Sequence, residues 1–117
     1  MNKTVTEKVK ESKTFCILPF IHLYVHPDGK IAPCCIGKPF RNGPNMKNST
    51  VEELINSKEL KEVRESIANE LEHPACSVCF NSEKLNGDSP RFEYNKHEAY
   101  SLPKVQDDYS VPPSIQH

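Results

Sequence analysis

Four cysteines in two separated pairs, Cys16 with Cys34 and Cys76 with Cys79, are the residues of this chain whose type and spacing point most directly to chemistry. Tetrahedral metals and iron–sulfur clusters need several soft thiolates converging on one place, and a Cys-x-x-Cys knuckle joined to a distant second pair delivers them. Taken alone, Cys76-Ser77-Val78-Cys79 also fits a redox dithiol, a zinc knuckle or chance. A metal centre leads, with zinc and an iron–sulfur cluster as its two forms and a chance grouping of structural thiols as the bland alternative. Cys35, beside Cys34, reads as a small buried hydrophobe, or as a substitute for its neighbour. His22 and His26 read as solvent-facing or hydrogen-bonded, and His73, near the knuckle, is the histidine to watch. Nothing in the sequence demands Cys–His nucleophilic catalysis.

Local elements have to bring these thiols together. Between Cys16 and Cys34 lie seventeen residues, with the turn signal Pro27-Asp28-Gly29-Lys30 inside the gap. Ile21, Leu23 and Val25 alternate with His22, Tyr24 and His26, the period-2 pattern of a strand with one buried face. Lys30-Ile31-Ala32 forms the return arm, stopped at Pro33, which has no N–H to donate. A hairpin so placed lets Cys16 and Cys34 meet at its open end. Gly37, Pro39, Gly43, Pro44 and three asparagines make 36–48 a loop.

Ser49-Thr50-Val51-Glu52 fits a capping box opening a helical region, interrupted near Asn56-Ser57. Leu60, Val63, Ile67 and Leu71 give it one apolar stripe for a core, and His73-Pro74 ends it before the knuckle. A short helix over 80–85, capped by Asn86-Gly87, and another with Ser89 as N-cap and Pro90 first, follow. Arg91 reads either as one half of a helix-surface ion pair with a nearby Glu or as a functional or interface residue.

The run Phe15-Cys16-Ile17-Leu18-Pro19-Phe20-Ile21-His22-Leu23, with Pro27-Asp28-Gly29 and Pro33-Cys34-Cys35, resembles the opening of the SPASM and twitch domains of radical S-adenosylmethionine enzymes. The distant Cys76 and Cys79 continue the resemblance, as do Glu83, Gly87, Ser89, Arg91 and Asn95, so that it spans roughly Phe15 to Asn95. It implies a single [4Fe-4S] cluster held by Cys16, Cys34, Cys76 and Cys79. Five cysteines cannot furnish two such clusters, and position 85, where a full SPASM domain carries a further cysteine, is Leu85.

No Cys-x-x-x-Cys-x-x-Cys loop occurs, and the chain is far short of the roughly 200 or more residues of a β/α barrel. No catalytic activity of its own is therefore expected. The resemblance implies electron transfer or structural support for a radical S-adenosylmethionine enzyme or a barrel-bearing partner chain, or a truncated remnant of such an enzyme. A zinc-binding protein-interaction module, with Zn²⁺ on the same thiolates, is the rival class.

Composition bounds the rest. The chain has 117 residues, 36% hydrophobic content and a formal net charge of −1 from 15 Lys and Arg against 16 Asp and Glu. Signs are interleaved without a basic stripe, so no nucleic-acid partner is expected. A polar stretch from Met1 to Lys13 and an apolar run of limited length, Phe15 to Val25, argue against a signal peptide and a membrane span and for the cytoplasm. The expected organisation is a polar N-terminal arm at 1–14, an iron–sulfur-binding domain at 15–100 and a flexible Pro-rich tail at 101–117. The expected fold class is α+β, a small metal-stapled domain with a β-hairpin, one or two helices and the knuckle.

Overall fold

The computed structural model describes residues 4–34, 37–40, 43–98 and 102–111. It is an α+β arrangement of helices and one short two-stranded antiparallel hairpin. Cys35 lies outside the described residues.

The N-terminal stretch is more than a polar arm. Thr4 and Glu7 close a reciprocal capping box on α1 (Val5–Glu11), and Val9 on its inner face is fully buried. After a bend, Leu18–Ile21 forms the single turn α2, with Pro19 pre-set in its first turn. This turn takes up Ile21, the first residue expected in the strand, and pairing is confined to β1 (Tyr24–Val25) against β2 (Ile31–Ala32), in the register Tyr24–Ala32 and Val25–Ile31. Val25 consequently faces solvent, and the hairpin buries Ile31 and Ala32 instead. β2 stops at Ala32, immediately before Pro33.

Gly29 is required twice over in the hairpin turn. Its φ of +89° favours glycine, and a Cβ there would stand 2.1 Å from the Asn45 side-chain oxygen. Asn45 Nδ2 donates to the Asp28 carbonyl at 3.2 Å and Met46 N–H to the Gly29 carbonyl at 2.9 Å, which ties the long loop to the turn.

Helix α3 (Val51–Ile55) starts one residue later than its sequence signal. Thr50 and Glu53 form the capping box, and that register points Leu54 and Ile55 into the core. Asn56 ends α3, and the Ser57 hydroxyl opens α4 (Lys58–Ala68) by accepting from Leu60 N–H. Leu60, Val63 and Ile67 are buried as the stripe requires, but Leu71 is exposed because α4 ends at Ala68, well before His73. Leu71 N–H reaches the Ser66 carbonyl at 2.8 Å and Glu70 N–H the Ile67 carbonyl at 3.1 Å, with Glu70 at φ +59°. These bonds make a Schellman stop with glutamate in the left-handed position.

A 3₁₀ turn (Pro74–Cys76) leads into α5 (Ser77–Asn86), which ends at Gly87 with φ +74°, as the Asn-Gly pair indicated. Helix α6 (Pro90–Glu98) begins at the expected proline.

Residues 102–111 depart from the flexible tail that their prolines and polar residues predicted. Val105 and Val111 are buried in the main core with Val9, Phe20, Leu60 and Val63. Their anchor is Arg64, which has no exposed surface. Its guanidinium donates to the Pro19 carbonyl at 2.8 Å, Asn56 Oδ1 at 3.1 Å, the Tyr109 carbonyl at 3.0 Å and the Ile55 carbonyl. Asn56 in turn accepts from Val111 N–H and donates to its carbonyl, each at 2.9 Å. At the other end of the segment, Val105 N–H donates to the Thr6 hydroxyl at 2.9 Å, closing it against α1.

Candidate metal centre

Three chain segments converge on one cavity. Cys16 enters from the stretch just before α2, Cys34 from just after β2, and Cys76 and Cys79 from the 3₁₀ turn and the first turn of α5. All four side chains line the cavity, so the structure brings together the residues that the two spacings singled out. Cys16, Cys34 and Cys79 are buried and Cys76 is half-buried; none of the four is in a disulfide.

Local bonding explains the convergence. After Cys34 the chain turns back, with Gly37 N–H donating to the Cys34 carbonyl and Lys38 N–H to the Ala75 carbonyl, each at 3.0 Å. The second bond fastens the Cys34 loop to the residue before Cys76. Gly37 passes so close that a Cβ would lie 3.1 Å from the Pro33 ring and 3.3 Å from the Ala75 carbonyl oxygen. His73 Nδ1 accepts from Ala75 N–H at 3.0 Å and so caps the 3₁₀ turn. Its ring contributes to the cavity wall, and burial holds its pKa below the usual histidine value against the opposing pull of Glu62. His22 and His26 are not in that wall; His26 packs edge-on against Tyr24, with ring centroids 4.9 Å apart.

The Cys16 segment is held from the far end of the sequence. Asn95 Oδ1 accepts from Ile17 N–H at 2.9 Å while its Nδ2 donates to the Phe15 carbonyl at 2.7 Å, bracketing Cys16 on both sides. Arg91 donates to the same Phe15 carbonyl at 2.7 Å and to the Lys13 carbonyl at 3.2 Å. Its other edge forms a two-pronged pair with Glu83, at 2.7 Å and 2.6 Å. The expected ion pair with a nearby glutamate is thus present, but it is buried and joins α5 to α6. Arg91 is only 5% exposed, so its side chain is part of the cavity wall and not of an external interface. Sequence spacing offered one signal for this pair, since Gly87 between Glu83 and Arg91 allows two helices to fold back and face each other.

The electrostatics are those of thiols awaiting a positive partner. Cys16 and Cys76 are each pushed up to about 12, first by burial and then by the neighbouring cysteines. Burial also raises Cys79, opposed by hydrogen bonds from the Arg91 main-chain N–H and the Ser89 side chain. Elsewhere the wall is largely apolar, with Pro19, Pro33, Ile67 and Phe80. Soft sulfur donors in such a setting suit iron–sulfur chemistry and offer nothing to a hard, oxygen-seeking cation. Four soft sulfur donors on one cavity are a donor set that fits an iron–sulfur cluster.

Fold and site together define a small thiol-lined, cluster-binding domain. The SPASM family model, described as an iron-sulfur cluster-binding domain, matches residues 16–80, more than half of the chain, and the chain belongs to that family. No curated protein and no solved structure matches it. The match runs from the first of the four cysteines to one residue past the last. Glu83, Arg91 and Asn95, which brace the site, lie beyond it. Among the described residues no helix is long and apolar enough to cross a membrane.

Proposed function

We propose that the chain binds one [4Fe-4S] cluster through Cys16, Cys34, Cys76 and Cys79 and acts as an auxiliary module to a radical S-adenosylmethionine enzyme or a barrel-bearing partner, in electron transfer or structural support. The observation that carries the reading is the meeting of these four thiols on one cavity in a chain of the SPASM family. Four thiolates would fill the protein-ligand positions of such a cluster and leave no iron open to substrate, which favours an electron-transfer or supporting role over substrate activation. When bound, the cluster would supply a one-electron couple. The protein's own part is to orient the sulfurs, keep their surroundings dry and neutralise their charge.

Anaerobic reconstitution with iron and sulfide, followed by counting iron, sulfide and zinc per chain, tests the cofactor. About four irons and four sulfides per chain are expected, with serine at any of the four cysteines causing sharp loss and Cys35→Ser leaving the content nearly intact. Zinc uptake by a colourless protein without sulfide would defeat the cluster reading. Loss in Cys35→Ser with retention in Cys34→Ser would move the second ligand to Cys35. For the partnership, the loaded chain alone should not turn over S-adenosylmethionine; repeated release of 5′-deoxyadenosine by the purified chain would overturn the auxiliary role.

A further inference from the structure

We propose that Arg91 and Glu83 set the reduction potential of the group held by the four cysteines, through a buried, partly neutralised cation in the cavity wall. The inference rests on the cluster reading above and concerns residues outside the 16–80 family match.

Hydrogen bonds to cluster sulfurs and positive charge nearby stabilise the reduced, more negative state and raise its potential. Among the described residues that line the cavity, Arg91 is the permanent cation, and Glu83 pairs with it at 2.6 Å. The Ser89 hydroxyl donates to Glu83 Oε2 at 2.6 Å and both prongs of Arg91 meet the same carboxylate, so the negative charge is held beside the guanidinium.

The guanidinium itself is fixed. Two main-chain carbonyls hold one edge, and the rings of Phe80 and Phe92 lie 5.3 Å and 4.6 Å from its centre. Buried at the cavity, its charge is little screened by salt. Glu83 offsets that charge, so the two residues act on the potential with opposite signs. The redox step is the entry of one electron from an external donor, with no bond made or broken and no proton moved.

The test is a redox titration of the anaerobically reconstituted full chain at a mediator-equilibrated electrode, after iron and sulfide have been counted for each variant. Arg91→Gln should lower the potential and Glu83→Gln should raise it. Each shift should correspond to about a tenfold change in the reduced-to-oxidised ratio, about 59 mV for a one-electron couple. Arg91→Lys, which keeps the charge, should restore most of what Arg91→Gln loses. Unshifted potentials at unchanged iron content, or shifts of the same sign for Arg91→Gln and Glu83→Gln, would overturn the proposal and leave these residues a purely architectural role. If Arg91→Gln does not fold, Glu83→Gln still decides the sign. A wild-type chain that takes up no iron would defeat the cluster reading itself, a failure distinct from that of the tuning.

Discussion

Two buried arginines divide this molecule. Arg91 stands in the wall of the cysteine cavity and brings a carboxylate partner, Glu83, with it. Arg64, more deeply buried, spends its guanidinium on three main-chain carbonyls and an asparagine side chain. Burial lowers its pKa to about 10.

The contrast separates two physical tasks. Around Arg64 each guanidinium nitrogen meets an oxygen of the protein, among buried aliphatic side chains, so this region needs no ligand to satisfy it. Around Arg91 lie thiols whose ionised forms burial disfavours, at Cys16 and Cys76 with a contribution from neighbouring cysteines, and a bound cationic core would offset that cost. Pro19 belongs to both regions, since its carbonyl takes the Arg64 Nε–H while its ring lines the cavity.

The sharpest way to break the comparison is to delete Arg64. Arg64→Ala leaves four oxygens without their donor and a hole the size of the side chain, for a loss of about 3 kcal/mol or more. Urea midpoints should show it, with the cavity cysteines untouched. Cys16→Ser should do the reverse, abolishing cluster binding while shifting the ligand-free midpoint by about 1 kcal/mol or less. Equal stability losses in the two variants would show that the regions are not separable.

Removal of the bound group by chelation sharpens the same division. Amide protection should fall over residues 14–20 and 74–80, which the thiols tie together, while α4 and residues 105–111 keep theirs. A uniform loss along the chain would mean that the domain folds only with its metal.

A smaller effect is expected at Asn95. Asn95→Ala removes the bonds bracketing Cys16, and Arg91 keeps hold of the Phe15 carbonyl, so a cost of about 1–2 kcal/mol is expected. Iron content should drop partially, in contrast to its collapse in Cys16→Ser; an unchanged content would show that Arg91 alone positions the segment.

What could be read from the sequence follows the same line. The cavity was legible because cysteine spacing, a Pro-Asp-Gly turn and the Asn86-Gly87 stop are local signals with few alternatives. The α+β class, the break at Asn56-Ser57 and the inward stripe of α4 were legible for the same reason. The Arg64 region was not. An arginine in a run of Lys and Glu reads as solvated surface, and only the return of a distant segment makes it a core residue. Val105 and Val111 sit among prolines and polar residues, so no periodicity marks them; Arg64 and Asn56 hold Tyr109 and Val111 across 45 and 55 residues, and Thr6 holds Val105 across 99. The first strand failed differently. Alternation at 21–26 was real, but the local preference of Leu18-Pro19 for a helical turn displaced it.

The last expectation concerns how the returning segment is held at its tip, where the sequence showed only a polar stretch. Asp108 accepts from the Ser110 hydroxyl at 2.7 Å and from Ser110 N–H at 3.1 Å, and Lys61 of α4 stands 3.5 Å away. These hold its carboxyl at about 2, below the ordinary 3.8, with the Ser110 side chain the largest cause. Because the folded chain prefers the ionised form, the contribution is complete above pH about 3.8 and is lost as pH falls through about 2. The carboxylate is exposed, so the effect is local docking and not global stability. Protection of the Val111 amide relative to its intrinsic exchange rate at each pH should therefore fall as wild type is acidified across this window, whereas Asp108→Asn should already be less protected at neutral pH and lose that part of the pH response. Identical profiles for the two proteins would mean that Arg64 and Asn56 hold the segment without help from its tip.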